Sequence, residues 1–198
     1  MTEVVLATGN LHKAKEIKAI LNGLNLRFLT LQDFPVLPET IEDGKTFKEN
    51  AVKKAKEIAM LTGKIALADD SGIEVEALNN APGVYSARFA GEKATDSANN
   101  KKLLGLLKGI PLARRKARFV CVIAIAEIGG RIYTAEGELK GVIALRPAGK
   151  KGFGYDPLFI VPRYKKTVAQ LSSEVKNRIS HRAKALRKAK GILKQLLN

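Results

Sequence analysis

The chain has 198 residues, 45% of them hydrophobic, which suits one compact α/β domain or two closely joined lobes whose core needs no disulfide or structural metal. A single cysteine, Cys121, excludes an intrachain disulfide and fits a reducing cytoplasm, and no apolar run approaches the roughly 18 residues of a membrane span. The formal charge of +16 is uneven: 15 basic and 2 acidic residues between Lys140 and Asn198 carry +13, leaving +3 for the first 139 positions, a field that attracts polyanions.

Met1 leads directly into an apolar segment with no charged n-region or cleavage-site pattern, which predicts a cytoplasmic protein. Glu3 to Ala7 reads as a buried, parallel-type strand. It breaks at Thr8-Gly9-Asn10, and Ala14, Ile17, Ile20 and Leu21 follow at helical spacing, ending near Asn22-Gly23. Leu26 to Thr30 is a second short strand. Thr46 and Glu49 have the spacing of a capping box, opening a helix to about Leu61 that Gly63 stops. Ile65 to Ala68 returns as a strand and runs into Asp69-Asp70-Ser71-Gly72. A further helix spans about Asp96 to Lys108. Strands Ala117–Ile128 and Arg131–Ile143 form a hairpin through Gly129-Gly130. Cys121 lies in the first of them and reads as a buried small hydrophobe. The last helix runs from about Ser180 to Leu197, with Ala183, Leu186, Ala189, Leu193 and Leu196 as its apolar stripe. Strands and helices in mixed order, with one long hairpin, predict an α/β fold with a mixed sheet flanked by helices.

Four constellations carry chemistry. In Thr8-Gly-Asn-Leu-His-Lys13 a strand turns into a helix N-terminus, where backbone N–H groups favour an anion. Lys13 stands where the helix dipole disfavours a lysine, which points to a ligand anion. Glu42, Asp69 and Asp70 form an acidic set. Carboxylates at strand ends in an α/β sheet lie where ligands usually bind, and oxygen-only donors without a Cys/His cluster favour Mg²⁺ over zinc. Lys54 lies in the helix after the capping box. In Gly152-Phe-Gly-Tyr-Asp-Pro157 the glycines let the backbone approach a flat ligand, Phe153 offers a stacking face and Asp156 can accept from a base edge. Finally, Ser180 as N-cap would set His181 and Arg182 on the opening turn of the last helix, with Lys176 upstream. An arginine there can bond a phosphate or carbonyl in forked geometry.

Thr8-Gly-Asn-x-x-Lys13, Thr46-Phe-x-Glu-Asn-Ala51, Ala68-Asp-Asp-Ser-Gly72, Ala81-Pro-Gly-Val-Tyr-Ser-Ala-Arg88, Gly152-Phe-Gly-Tyr-Asp-Pro157 and Ile179-Ser-His-Arg182, taken in this order, resemble the inosine triphosphate pyrophosphatase family over nearly the whole chain. The resemblance implies a single domain over residues 1–198, an elongated α/β structure of two lobes with an active-site cleft between them, usually a homodimer. It implies that the loop of Thr8, Gly9, Asn10, Leu11, His12 and Lys13 holds a triphosphate, with Lys54 and Lys176 adding charge. Glu42 and Asp70 would position Mg²⁺, and Asp70 would help activate the attacking water, with Asp69 second to it. Ser71 would touch the substrate. Phe153 would stack on a purine in a loop completed by Gly154 and Tyr155, while Asp156, His181 and Arg182 read the base edge. The implied substrates are the purine nucleoside triphosphates ITP, dITP and XTP, and the products a monophosphate and pyrophosphate. A pyrimidine-directed pyrophosphatase is disfavoured, because similar proteins of that kind open with a Ser-x-Ser-Pro-Arg-Arg-like loop. A nucleic-acid-binding module using the basic C-terminal third is the rival from another class and predicts salt-sensitive binding without turnover; its aromatics are few and not interleaved with the lysines.

Overall fold

The computed structural model describes residues 1–196. In chain order the elements are β1 (Thr2–Leu6), α1 (Leu11–Ile20), β2 (Leu26–Thr30), α2 (Phe47–Thr62), β3 (Ile65–Val75), α3 (Asp96–Leu106), β4 (Lys116–Ala126), β5 (Ile132–Ile143), β6 (Phe159–Val161), β7 (Lys166–Thr167), α4 (Ser173–Ile179) and α5 (His181–Leu196). The last residue of the final predicted helix, Leu197, lies outside the described residues. The seven strands form one sheet in the order β2-β1-β3-β4-β5-β6-β7. β1 runs parallel to β2 and β3, while β6 is antiparallel to both β5 and β7. The sheet is therefore mixed and flanked by helices, as the sequence predicts. Among the described residues no helix is long and apolar enough to cross a membrane.

Local chemistry explains most of the boundaries. At α1, the Asn10 side chain accepts from the N–H groups of His12 and Lys13, so two orphan donors of the helix start are satisfied within the chain. At α2, Thr46 accepts from the Glu49 N–H. The reciprocal half of the box is shifted by one residue, since Glu49 accepts from the Lys45 N–H instead. Gly63 ends α2 in the left-handed conformation, φ +60°, which a residue with a Cβ adopts at a cost.

Two elements differ from expectation. β3 does not stop at Ala68 but continues through Asp69, Asp70, Ser71 and Gly72 to Val75. Four turn-forming residues stay extended because Ile73 and Val75 resume a fully buried apolar pattern beyond them, and strand pairing overrides local preference. Residues before Ser180 form the separate helix α4, capped by Ser172, whose side chain accepts from the Val175 N–H. Ser180 itself is extended between α4 and α5.

The chain divides into two compact units. The first comprises Met1–Asp70, Cys121–Gly137 and the segment from His181 on. Its core brings together Leu6 of β1, Ile17 of α1, Leu67 of β3, Ile123 of β4 and Leu186 of α5. The second comprises Ser71–Val120 and Glu138–Ser180, with Ile73, Leu103, Phe119, Tyr155 and Phe159 in its core. Apolar burial of this kind contributes roughly 25 cal/mol per Å² to each.

Candidate active site

In the first unit, parallel pairing of β1 and β3 sets the chemistry. Leu6 lies in register with Leu67, and the Ala7 N–H donates to the Leu67 carbonyl. The loop after β1 and the aspartates after Leu67 thus emerge at the same end of two neighbouring strands. Asp69 is fully buried, and its carboxylate is crowded with donors. Lys13 Nζ lies 2.7 Å from Oδ1, Arg182 Nε donates to Oδ2 at 2.8 Å, and the Cys121 thiol donates to Oδ2 at 3.1 Å. Burial alone would raise this carboxyl, but Arg182 and Lys13 outweigh it and hold it well below the usual range. Cys121 is left inert, because burial, then the Asp69 charge, pushes its thiol far up despite Arg182 and Lys13. Arg182 is only 1% exposed, and its Nη1 donates to Glu16 of α1 at 2.6 Å.

Asp70, one residue on, points to the other face of β3 and meets a different partner. Lys54 of α2 donates to Asp70 Oδ1 at 3.1 Å, to Glu42 Oε1 at 2.7 Å and to the Asp69 carbonyl at 2.9 Å. Burial works against the Lys54 charge, but Asp70 and Glu42 outweigh it and raise its pKa. For Asp70 burial wins, and the carboxyl is raised despite Lys54. Its second oxygen, Oδ2, is buried without a hydrogen-bond partner. The Glu42 segment is tied to α2: the Gly44 N–H donates to Asn50 at 2.8 Å and Lys53 pairs with Asp43 at 2.7 Å.

The two aspartates, adjacent in sequence, thus differ in their partners. Asp69, expected to share the catalytic work, has both oxygens engaged by cations. Only Asp70 keeps an uncommitted oxygen. No group of three or more His, Cys, Asp or Glu among the described residues is placed to hold a metal alone. Glu42 and Asp70, drawn together by one ammonium and with Asp70 Oδ2 buried and orphaned, nonetheless fit Mg²⁺, which takes one or two carboxylates and completes its shell with water and phosphate oxygens. In the Thr8–Lys13 loop, Thr8 Oγ1 accepts from the Asn10 N–H at 3.1 Å, while Leu11 and His12 are exposed. His181, the first residue of α5, is buried.

In the second unit, Ser71 follows Asp70 on β3 and is half-buried. The Gly152–Pro157 segment forms a tight aromatic loop. Gly152, at φ +78°, has no room for a side chain, since a Cβ there would lie 1.9 Å from Asp156 Oδ2. That oxygen accepts from the Phe153 N–H at 3.0 Å and from Lys176 at 2.6 Å. Lys176, on α4, also stands 4.5 Å from the centre of the Phe153 ring. Asp156, expected to contact a base edge, is 3% exposed, and Lys176, expected to add charge beside the phosphates, contacts the aromatic loop from α4. Tyr155 is buried and its hydroxyl donates to the Ser86 carbonyl at 2.8 Å. Sequence reasoning did not find Glu16, Asp96 or Asn100. Each is an ordinary polar helix residue by spacing, and only its tertiary partner distinguishes it.

A mixed α/β sheet carrying a lysine-bridged pair of carboxylates beside a strand-to-helix anion loop defines a class of phosphate-directed hydrolase sites. The chain belongs to the Ham1 family, whose model matches residues 4–192. It is 57% identical to a dITP/XTP pyrophosphatase of Desulforamulus reducens, over 98% of this chain and 96% of that protein. It is 55% identical to a protein of the same name from Geobacter sulfurreducens, over 94% of each. Among solved structures it resembles a HAM1 protein from Coxiella burnetii, with a TM-score of 0.90 and 44% identity, covering 98% of this chain and all of that one.

Proposed function

We propose that this protein hydrolyses the non-standard purine nucleoside triphosphates dITP, ITP and XTP to the monophosphate and pyrophosphate. The observation that carries this reading is the Asp70 carboxylate, buried and raised, with one oxygen on Lys54 and the other unpartnered. A carboxylate in that state is suited to take a proton from water. Glu42 and Asp70 would hold Mg²⁺, which when bound offsets phosphate charge and acidifies water.

Asp70 accepts the proton of the attacking water. The water oxygen ends on the α-phosphorus, and the bond to the β-phosphate breaks to release pyrophosphate. Lys54 and Lys13 offset the charge that develops on that leaving group, with Thr8 and Asn10 shaping the loop around it. Asp69 holds Lys13 and Arg182 in place and takes no proton. Ser71 touches the substrate, and Phe153 is the stacking surface for the purine. His181 and Arg182 read the base edge, with Asp69 and Glu16 fixing the guanidinium plane. Donors there favour the 6-oxygen of hypoxanthine and xanthine. Adenine's amino group would leave them unpaired, a penalty of roughly 1–3 kcal/mol. Guanine shares the oxygen and must be rejected through its 2-amino group.

We place the protein in the cytoplasm and assign it a homodimeric state from family resemblance. The nucleic-acid reading gains no support: Lys188 and Lys190 of the basic α5 donate to the carbonyls of Glu136 and Asn22. The test is a Mg²⁺-dependent assay on ITP, dITP, XTP, ATP and GTP that scores pyrophosphate separately from orthophosphate. Pyrophosphate from the first three is expected, and the Asp70→Asn variant should lose roughly 100- to 10,000-fold in turnover while still binding nucleotide. Orthophosphate as product, or full turnover by Asp70→Asn, would sink the assignment.

A further inference from the structure

The Gly152–Pro157 loop is held from outside by a helix that no motif marks. Gly154 lies immediately after Phe153 in the left-handed conformation, φ +60°, where its peptide groups fall outside any strand ladder. Both are taken by α3. Asp96 accepts from the Gly154 N–H at 2.6 Å, and the Asn100 amide donates to the Gly154 carbonyl at 3.0 Å. Residues four apart share one helix face, so the N-terminal end of α3 presents an acceptor and a donor side by side to a single glycine. The neighbouring Asn99 fixes a second segment in the same way. It accepts from the Ala90 N–H at 2.8 Å and donates to the Ala87 carbonyl at 3.0 Å, in the stretch whose Ser86 carbonyl receives the Tyr155 hydroxyl. Three consecutive residues, Phe153, Gly154 and Tyr155, are thus pinned by Asp156, by Asp96 with Asn100, and by Ser86. Of the two aromatic residues, Tyr155 is buried and Phe153 is half-buried.

We infer that Asp96 and Asn100 are positioning residues for the base: by clamping the Gly154 peptide they set the plane of the Phe153 ring, and through it affinity for the purine. This rests on the reading of Phe153 as the stacking surface. A charge-assisted hydrogen bond to a backbone N–H is among the stronger polar contacts, and a glycine without it regains its full conformational range. The ring is then attached to a mobile peptide, and the substrate must order it on binding.

The experiment compares steady-state ITP hydrolysis with competitive inhibition by inorganic tripolyphosphate, which carries the phosphates but no base. Asp96→Ala and Asn100→Asp should each raise KM for ITP roughly tenfold, change kcat less than about twofold, and leave the tripolyphosphate inhibition constant unaltered. Asp96→Asn, which keeps a carbonyl acceptor, should restore most of the affinity. Thr95→Ala removes the N-cap of α3, whose side chain accepts from the Ala98 N–H, without touching the clamp, and should leave KM unchanged. A KM rise in Thr95→Ala equal to that in Asp96→Ala would assign the effect to helix stability and overturn the proposal. Equal loss of ITP and tripolyphosphate affinity would do the same. Phe153→Leu separates the two readings. If it raises KM while the clamp variants do not, only the clamp fails; if Phe153→Leu itself leaves KM unchanged, the stacking surface fails and the clamp with it.

Discussion

The first unit holds its functional groups by charge, and the second by backbone geometry. In the first, Asp69 and Arg182 are fully buried ions whose cost of burial is offset by one another and by Lys13 and Glu16. In the second, the aromatic loop is fixed by glycines in the left-handed region and by side chains that grip single peptide groups. The difference follows from the ligand parts each would serve. A triphosphate demands concentrated positive charge, and lysines held together without ligand need buried carboxylates as counter-charges. A purine demands a flat surface at a set angle, which side chains bonded to the backbone of the loop supply.

Removing the buried counter-charge should expose this contrast most sharply. Asp69→Ala removes a buried carboxylate partner of the buried Arg182 and is expected to cost about 3–5 kcal/mol, read as a lowered midpoint in urea. A loss under about 1 kcal/mol would show that the network is not what holds the first unit together. Close backbone approach gives the next effect. A Cβ on Gly137 of β5 would lie 2.3 Å from the His181 carbonyl and 2.5 Å from the Ala185 nitrogen, so Gly137→Ala must push the first turn of α5 away. The expected cost is about 1–3 kcal/mol, with raised KM for ITP because His181 and Arg182 move; a variant as stable and active as the parent would contradict that packing.

The smallest effect belongs to the second unit and appears in alkali. Burial, and then the Asp96 charge, raises the Tyr155 phenol above its ordinary pKa. The folded state therefore keeps a proton that the unfolded chain releases. The resulting stability is complete below the ordinary tyrosine pKa near ~10 and is lost as pH rises toward the folded value. Urea midpoints between about pH 9 and 11 should fall more steeply for the parent than for Tyr155→Phe, and Asp96→Asn should lie between. Identical slopes would mean that the hydroxyl is not sequestered as its bond to Ser86 indicates.

Much of this was legible in the sequence. Strand and helix order, the hairpin at Gly129-Gly130, the Thr46 cap and the Gly63 stop all follow from periodicity and local turn chemistry, because these depend on neighbours within a few residues. The residue types of the site, carboxylates with lysines and a glycine-flanked phenylalanine, were legible for the same reason. What the sequence could not supply is the division of labour among them. Asp69 and Asp70 are the same residue side by side, and the alternation of β3 sends one to Arg182 and Lys13 and the other to Lys54. Asp156 read as a ligand contact and in the fold also accepts from Lys176 and the Phe153 N–H, while Asp96 and Asn100 read only as part of a helix and bond the Gly154 peptide. Only the tertiary structure decided these roles, because a charged or amide side chain takes its function from the partner that long-range packing brings to it, and no local spacing records that partner.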